Sequence, residues 1–224
     1  VVVVGGGAAG VEIAMALAHR LADPVARVVL VTGGSAPLAD APPSARAAVL
    51  RALRRLRVTV LQELCVAVES DHVRLANGAR VACDAPIIAT AGSAPPWLAG
   101  SGLALDDRGR IRTGPTLQSV SHPDVLAAGD VAQRDDVPHP HNGVHAVRAG
   151  PPLVASLRAL IGGVPPPSWQ PPQRTLNLVS CGQRRAIAIW GEHAAEGRWL
   201  WWWKHRIDRA YVARFAVRPE RTDP

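Results

Sequence analysis

VVVVGGGAAGVE, residues 1 to 12, is an apolar run that breaks into three glycines and continues as an Ala-rich segment. Four successive valines are β-branched and suit an extended chain buried on both faces. Gly5, Gly7 and Gly10 fill the three glycine places of GxGxxG, with Ala8 and Ala9 in the last two variable places. Between a strand and a helix, the first glycine permits a tight turn and the second lets a pyrophosphate approach the backbone. The third lets helix and strand pack closely. Phosphates placed there meet the free N–H groups and the positive dipole end of the helix. Val25 to Thr32 is the next apolar run, so the first thirty or so residues predict a β-turn-α-β unit, half of a mononucleotide-binding fold.

The second strand ends in Thr32-Gly33-Gly34-Ser35. This has neither the carboxylate that holds an adenosine ribose in NAD sites nor an Arg cluster for a 2′-phosphate, so the choice between NAD and NADP stays open. Thr32 is a candidate ribose contact or a plain loop residue. Glu12, in the first turn of the helix, either complements the helix dipole or has a functional role.

Further along, Pro42-Pro43-Ser44 predicts a helix start, with Val49, Leu50, Leu53 and Leu56 on one face and Arg51, Arg54 and Arg55 opposite. Val58 to Leu61 predicts a third strand. Val66–Val68, Val73–Leu75 and Arg80–Val81 predict a small antiparallel meander, its last two strands joined across Asn77-Gly78 in a type I′ turn. Pro86 to Thr90 predicts the next buried strand. A second buried run, Asp124 to Ala128, ends at Gly129-Asp130. A helix follows over about Gly143 to Leu160, with Pro151-Pro152 as a kink or restart. Pro165–Pro167 and Pro171-Pro172 form a stiff connector, before strand-like runs at Thr175–Val179 and Ala186–Trp190.

Composition narrows the function classes. The chain has 224 residues, 48% hydrophobic and 19% charged, which excludes disorder as its dominant state. Its charge of +7 comes from 25 basic residues, all Arg except Lys204, against 18 acidic ones. That uniformity looks more like codon bias than a nucleic-acid groove, and no nucleic-acid partner is expected. Residues 173 to 224 hold ten basic and five acidic side chains, so the C-terminal part is basic on its own account. Cys65, Cys83 and Cys181 are odd in number and widely spaced, which excludes a redox dithiol in this stretch and fits a reduced, cytoplasmic setting. No apolar stretch reaches the roughly 18 to 20 residues needed to span a bilayer. A chain opening at Val1, inside a strand, is expected to be the remainder of a longer protein.

GGGAAGVE at 5–12, DAPIIATAG at 84–92 and HPDVLAAGDVA at 122–132, in that order, resemble the two-dinucleotide-domain flavoproteins of the pyridine nucleotide-disulfide oxidoreductase superfamily. More closely the chain resembles their type II NADH dehydrogenase branch. With GRWLWWWKHRIDRAYVARF at 197–215 it resembles the FAD-dependent oxidoreductases encoded beside, or fused to, selenide, water dikinase. The resemblance implies an α/β fold: a Rossmann-like NAD(P)-binding domain over 1–92 with the inserted β-meander, a partial FAD-binding domain over 93–163, and a C-terminal α+β interface segment over 164–224. It implies FAD and NAD(P)H as cofactors, with hydride passing from NAD(P)H to FAD and on to a quinone or other acceptor. It puts Glu12, the candidate catalytic residue, near the nicotinamide-flavin junction, and the Asp130 carboxylate, after Gly129, on a ribityl hydroxyl of FAD. It makes Gly143 and Val144 the start of a helix facing the flavin. Thr90, Ala91 and Gly92 stand at the family's ATG crossing point.

Three departures accompany this. The family's first FAD motif is absent, Ala91 stands where glycine is usual, and His145 replaces an expected aromatic. The first two, with the absent ribose carboxylate, motivate the alternative of a truncated, non-catalytic nucleotide-binding module.

His139, His141 and His145 fall within seven residues, but no carboxylate or Cys completes a ligand set at usual spacing, and no metal site is expected. Loop histidines, with a flavin-edge contact from His145 as the other option, are the readings left. The tail predicts a helix from about Trp199 to Phe215. Leu200, Trp203, Ile207, Tyr211 and Phe215 share one face, and Trp201 and Trp202 lie off it. Those two suggest a second surface: peripheral contact with the inner face of the cell membrane, packing on another domain or a homodimer mate, or ordinary core.

Overall fold

The computed structural model describes residues 1–21, 26–90 and 92–216. Strands β1 (Val2–Val4), β2 (Val29–Val31) and β3 (Thr59–Leu61) form a parallel sheet with β7 (Pro86–Ile88), in the order β3-β2-β1-β7. Register runs Val2, Val3 and Val4 against Val29, Leu30 and Val31 on one side and Pro86, Ile87 and Ile88 on the other. Helices α1 (Ala8–Leu21) and α2 (Pro43–Arg55) are the crossovers. Pro43 stands at the first helical position of α2, where its missing N–H costs nothing. Ala45, Val49, Ala52 and Leu53 are buried and Arg51, Arg54 and Arg55 face outward, as the periodicity requires.

The sheet is covered on both faces. Val3 and Leu30 pack with Val11, Ala14 and Met15 of α1 and Val49 and Leu53 of α2. Val2, Val4 and Val31 pack instead against Val73, Leu75 and Cys83 of the meander β4 (Cys65–Val68), β5 (His72–Leu75) and β6 (Arg80–Ala82). The alternation of a buried strand therefore serves two different layers. The β5–β6 connection differs from the expected type I′ turn. Gly78 N–H donates to Leu75 O and Gly78 alone has positive φ (+86°), while Asn77 does not. This is a type I turn followed by a glycine bulge, and Leu75 N–H closes it on Ala79 O at 2.9 Å.

β10 (Asn177–Ser180), β11 (Ala186–Trp190) and β12 (His193–Gly197) form an antiparallel sheet, β12 being a strand that periodicity did not single out. Val179, Ile187 and Ile189 join the core of α1 and α2. Glu196 on β12 accepts from Arg55 of α2 at 2.9 Å and from Arg185 at 2.8 Å. Burial raises its pKa, but the two guanidiniums outweigh that and hold it below the usual carboxylate range. Helix α4 (Arg198–Ala213) follows. Residues 1–91 and 176–224 accordingly make one compact unit and residues 92–175 the other. The expected 164–224 segment is divided at Thr175: hydrophobic burial ties its strands to the first unit.

The second unit is irregular. β8 (Ile111–Thr113) pairs in parallel with β9 (Ala132–Arg134), around a core of Leu98, Ile111, Ala127 and Ala132. The run Asp124 to Ala128, expected as a buried strand, has a single bridge, Gln118 to Leu126. A strand needs a continuous partner to satisfy its backbone, and among the described residues this run lacks one. Helix α3 (Gly143–Ile161) contains Pro151 and Pro152 and runs through them without a restart.

Candidate functional site

In the first unit the glycine turn connects the C-terminal end of β1 to α1. Gly5 has φ +136°, and a Cβ on it would stand 2.1 Å from Ala89 O. A Cβ on Gly10 would stand 1.9 Å from Gly5 O, so helix and turn touch backbone to backbone. Gly7 differs: nothing lies within 4 Å of its Cβ position. Two glycines are thus required by packing, while the one expected to face a pyrophosphate has open space beside it. Ala8 and Ala9 are exposed in the first turn of α1, where the N–H groups have no intrahelical partner. Sequence reasoning missed Gly6, whose Cβ would come 2.9 Å from that of Thr32 and whose carbonyl accepts from Leu38 N–H at 2.8 Å. Thr32 is buried, its hydroxyl donating to Ser35 O. That satisfies the loop and commits the only proton the hydroxyl has.

Glu12 lies at a cleft of about 280 Å³ lined also by Ile13, Ala16, Ser180, Lys204 and Asp208. Its Oε1 accepts from Ser180 N–H at 2.7 Å and stands 3.7 Å from Lys204 Nζ. Lys204 in turn donates to Asp208 at 2.9 Å. Burial works against the charge of Lys204, but Asp208 and Glu12 overcome it and raise its pKa. Lys204 was the one signal in the sequence: a single lysine among arginines, placed where a compact ammonium meets two carboxylates. Thr90 is exposed at the end of β7, and its neighbour Ala91 lies outside the described residues.

In the second unit, a Cβ on Gly92 would stand 3.7 Å from Asp130 Oδ2. Gly129 has φ +77° at the start of a 3-10 turn, Gly129–Val131. Asp130 is exposed and makes no hydrogen bond or ion pair among the described residues. Gly143 and Val144 open α3 behind the cap Asn142, whose Oδ1 accepts from His145 N–H at 3.0 Å. His145 is 3% exposed and is not a loop histidine. Its Nδ1 lies 3.0 Å from Asn142 Oδ1 and its Nε2 3.2 Å from Pro172 O, a neutral ring donating to one of the two, and the ring stacks on His139 at 4.9 Å. Burial lowers its pKa despite the Pro172 carbonyl, which keeps it neutral near pH 7. Among the described residues no group of three His, Cys, Asp or Glu is placed to hold a metal.

A buried cation also escaped sequence reasoning. Arg134 is 2% exposed, bonds Asp136 through two nitrogens at 2.8 and 2.7 Å, and donates to Trp169 O at 3.0 Å. The Trp169 ring lies 5.7 Å from its guanidinium carbon. Cys181, fully buried, has its thiol pushed up to about 12, by burial first and then by Glu196, so it is not a thiolate.

Residues 1–150 match the pyridine nucleotide-disulphide oxidoreductase family. The chain belongs to that family. Three solved structures share the family-like fold. Reduced CoADR-RHD of Bacillus anthracis is 23% identical with TM-score 0.63, over 86% of this chain and 34% of that one. The putidaredoxin reductase of a covalent complex with putidaredoxin is 20% identical with TM-score 0.62, over 85% and 46%. The sulfide:quinone oxidoreductase of Aquifex aeolicus is 14% identical with TM-score 0.73, over 94% and 57%. At these identities the likeness is one of fold, and this member of the family spans from about a third to over half of the solved chains it matches. Among curated proteins none matches it.

Proposed function

We propose that the chain is the nucleotide-binding part of an FAD-dependent NAD(P)H oxidoreductase that delivers electrons to a quinone or another acceptor. The observation that carries this is the glycine turn: Gly5 and Gly10 admit no Cβ, Gly7 is open, and the turn sits on a parallel sheet of order β3-β2-β1-β7. When bound, the two cofactors supply the chemistry, NAD(P)H giving a hydride that FAD takes up. The chain's own work is binding and orientation. The first turn of α1 holds the NAD(P)H pyrophosphate, with Gly7, Ala8 and Ala9 leaving room for it. Asp130, exposed and without a hydrogen bond among the described residues, accepts from a ribityl hydroxyl of FAD beside Gly92 and Gly129. The start of α3 at Gly143 and Val144, held by Asn142 and His145, presents its dipole to the reduced flavin. Glu12 orients the nicotinamide.

Within the family, the motifs at 5–12, 84–92 and 122–132 in that order support the type II NADH dehydrogenase branch, and the tail at 197–215 supports the relatives associated with selenide, water dikinase. The test is spectral. The purified chain given FAD should show a flavin band in the visible range that NADH bleaches, and Asp130→Ala should bind FAD about tenfold less tightly, one charge-assisted hydrogen bond being lost. A colourless protein that still binds NADH would leave the second reading, a non-catalytic nucleotide-binding module. That reading is favoured by the engagement of Glu12 with Ser180 and Lys204.

The expected apolar face of α4 is mostly uncovered. Leu200 is buried, but Trp203, Ile207, Tyr211 and Phe215 are exposed, as are Trp199 and Trp202. Trp201 is accounted for within the chain, between Arg184 at 5.9 Å and a stacked His205 at 5.0 Å. No helix among the described residues is long and apolar enough to cross a membrane. Exposed aromatics with Arg198, Arg206 and Arg209 on one helix suit peripheral contact with an anionic membrane on the cytoplasmic side. The chain should float with anionic liposomes, and Trp202→Ala/Trp203→Ala should reduce the bound fraction several-fold. Unchanged flotation together with loss of a dimer in light scattering would instead make this face a homodimer contact.

A further inference from the structure

The ribose carboxylate missing from the end of β2 has a candidate replacement at the end of β3. Thr32 N–H donates to Leu61 O at 3.0 Å, which extends the β2–β3 ladder beyond the sheet. One residue on, Gly33 N–H donates to Glu63 O at 2.9 Å. On the other side Leu64 O accepts from Ala76 N–H at 2.8 Å, so the backbone around Glu63 is held from both flanks. Glu63 is half-buried, yet its side chain makes no hydrogen bond or ion pair among the described residues. Gly33 and Gly34, with φ of +75° and +85°, have nothing within 4 Å of their Cβ positions, which leaves the rim above them open. Residues 32 to 45 contain no Arg, Lys or His.

Resting on the reading of the glycine turn as a dinucleotide site, we propose that Glu63 selects NADH over NADPH, its carboxylate accepting from the adenosine ribose hydroxyls. Once α1 holds the pyrophosphate, the ribose reaches the end of β2. There it meets two glycines without side chains and, hydrogen-bonded to Gly33, the Glu63 segment. A 2′-phosphate would bring roughly two negative charges beside this carboxylate, with no cation on the loop to offset them. The choice that β2 makes in most such folds is made here from the neighbouring strand, whose backbone is tied to the glycine loop.

NADH and NADPH titrations of the full chain, followed by nicotinamide fluorescence, test this with Glu63→Gln and Gly7→Val. Wild type should bind NADH about tenfold or more tightly than NADPH. Glu63→Gln should weaken NADH several-fold while leaving NADPH unchanged or tighter, so that the preference collapses. An NADH preference that survives Glu63→Gln overturns the role of Glu63 and leaves the dinucleotide site standing, as does a wild type that prefers NADPH. Binding of neither nucleotide, or binding unaffected by Gly7→Val, overturns the dinucleotide site and the Glu63 proposal with it.

Discussion

Gly10→Ala should destabilise the first unit by about 2–3 kcal/mol, the upper part of the range for forcing an extra methyl into a filled space, and should abolish measurable NADH binding. The methyl carbon would sit 1.9 Å from Gly5 O. The oxygen belongs to backbone and a Cβ has no rotamer freedom of its own, and Gly5 is itself held by Val31 O at 2.8 Å and by the proximity of Ala89. No side-chain rotation relieves that overlap, so α1 must move off β1 and take its N-terminus with it. Gly7→Ala is the paired control. Its methyl meets nothing within 4 Å, so stability should stay within about 0.5 kcal/mol of wild type. NADH affinity should still fall by about tenfold or more, because the methyl occupies the approach of the pyrophosphate. Urea melts and NADH titrations of the two variants separate packing from binding. A Gly7→Ala protein with undiminished affinity would show that the phosphates do not lie over this turn.

Arg134→Ala should cost the second unit about 3 kcal/mol, within the range for removing one member of a buried pair. The guanidinium is 2% exposed and uses its nitrogens on Asp136 and Trp169 O while lying against the Trp169 ring. Removing it leaves a cavity, an unpaired carbonyl and a carboxylate whose pKa the guanidinium had held below the usual range. Asp136 is about one third exposed, so water recovers part of its loss. Arg134→Met, which keeps most of the volume, should recover part of the stability in thermal melts. Equal stability of wild type and Arg134→Ala would show that the pair merely decorates the surface of a unit held by Leu98, Ile111, Ala127 and Ala132.

Much of the site was legible because its constraints are local. A glycine that must turn, a proline that opens a helix, and a valine run buried on both faces are each decided within a few residues of chain. Gly5, Gly10, Pro43 and the parallel strands therefore read directly. Features that depend on a partner far along the chain did not. The engagement of Glu12 by Ser180 joins residues 168 positions apart. The burial of Arg134 depends on Trp169, and that of His145 on Pro172. Trp203, Ile207 and Tyr211, expected with Leu200 on one apolar face of α4, stand exposed, Phe215 lies beyond the helix, and the covered positions include Leu200 and, in part, Trp201 and Lys204. Burial is a different property from periodicity, and among the described residues only Leu200 of that stripe is covered.

The sequence by itself determined a βαβ unit with a glycine turn and the family, because the turn at glycine and the hydrophobic period are properties of neighbouring residues. Only the tertiary structure decided that strands β10 to β12 complete the core of the first unit, that Glu12 is tied to Ser180 and Lys204, and that Glu63 stands beside the glycine loop after β2. Those placements arise from ladder register and packing between distant segments, where the free energy is set by which surfaces meet and not by any one stretch of chain.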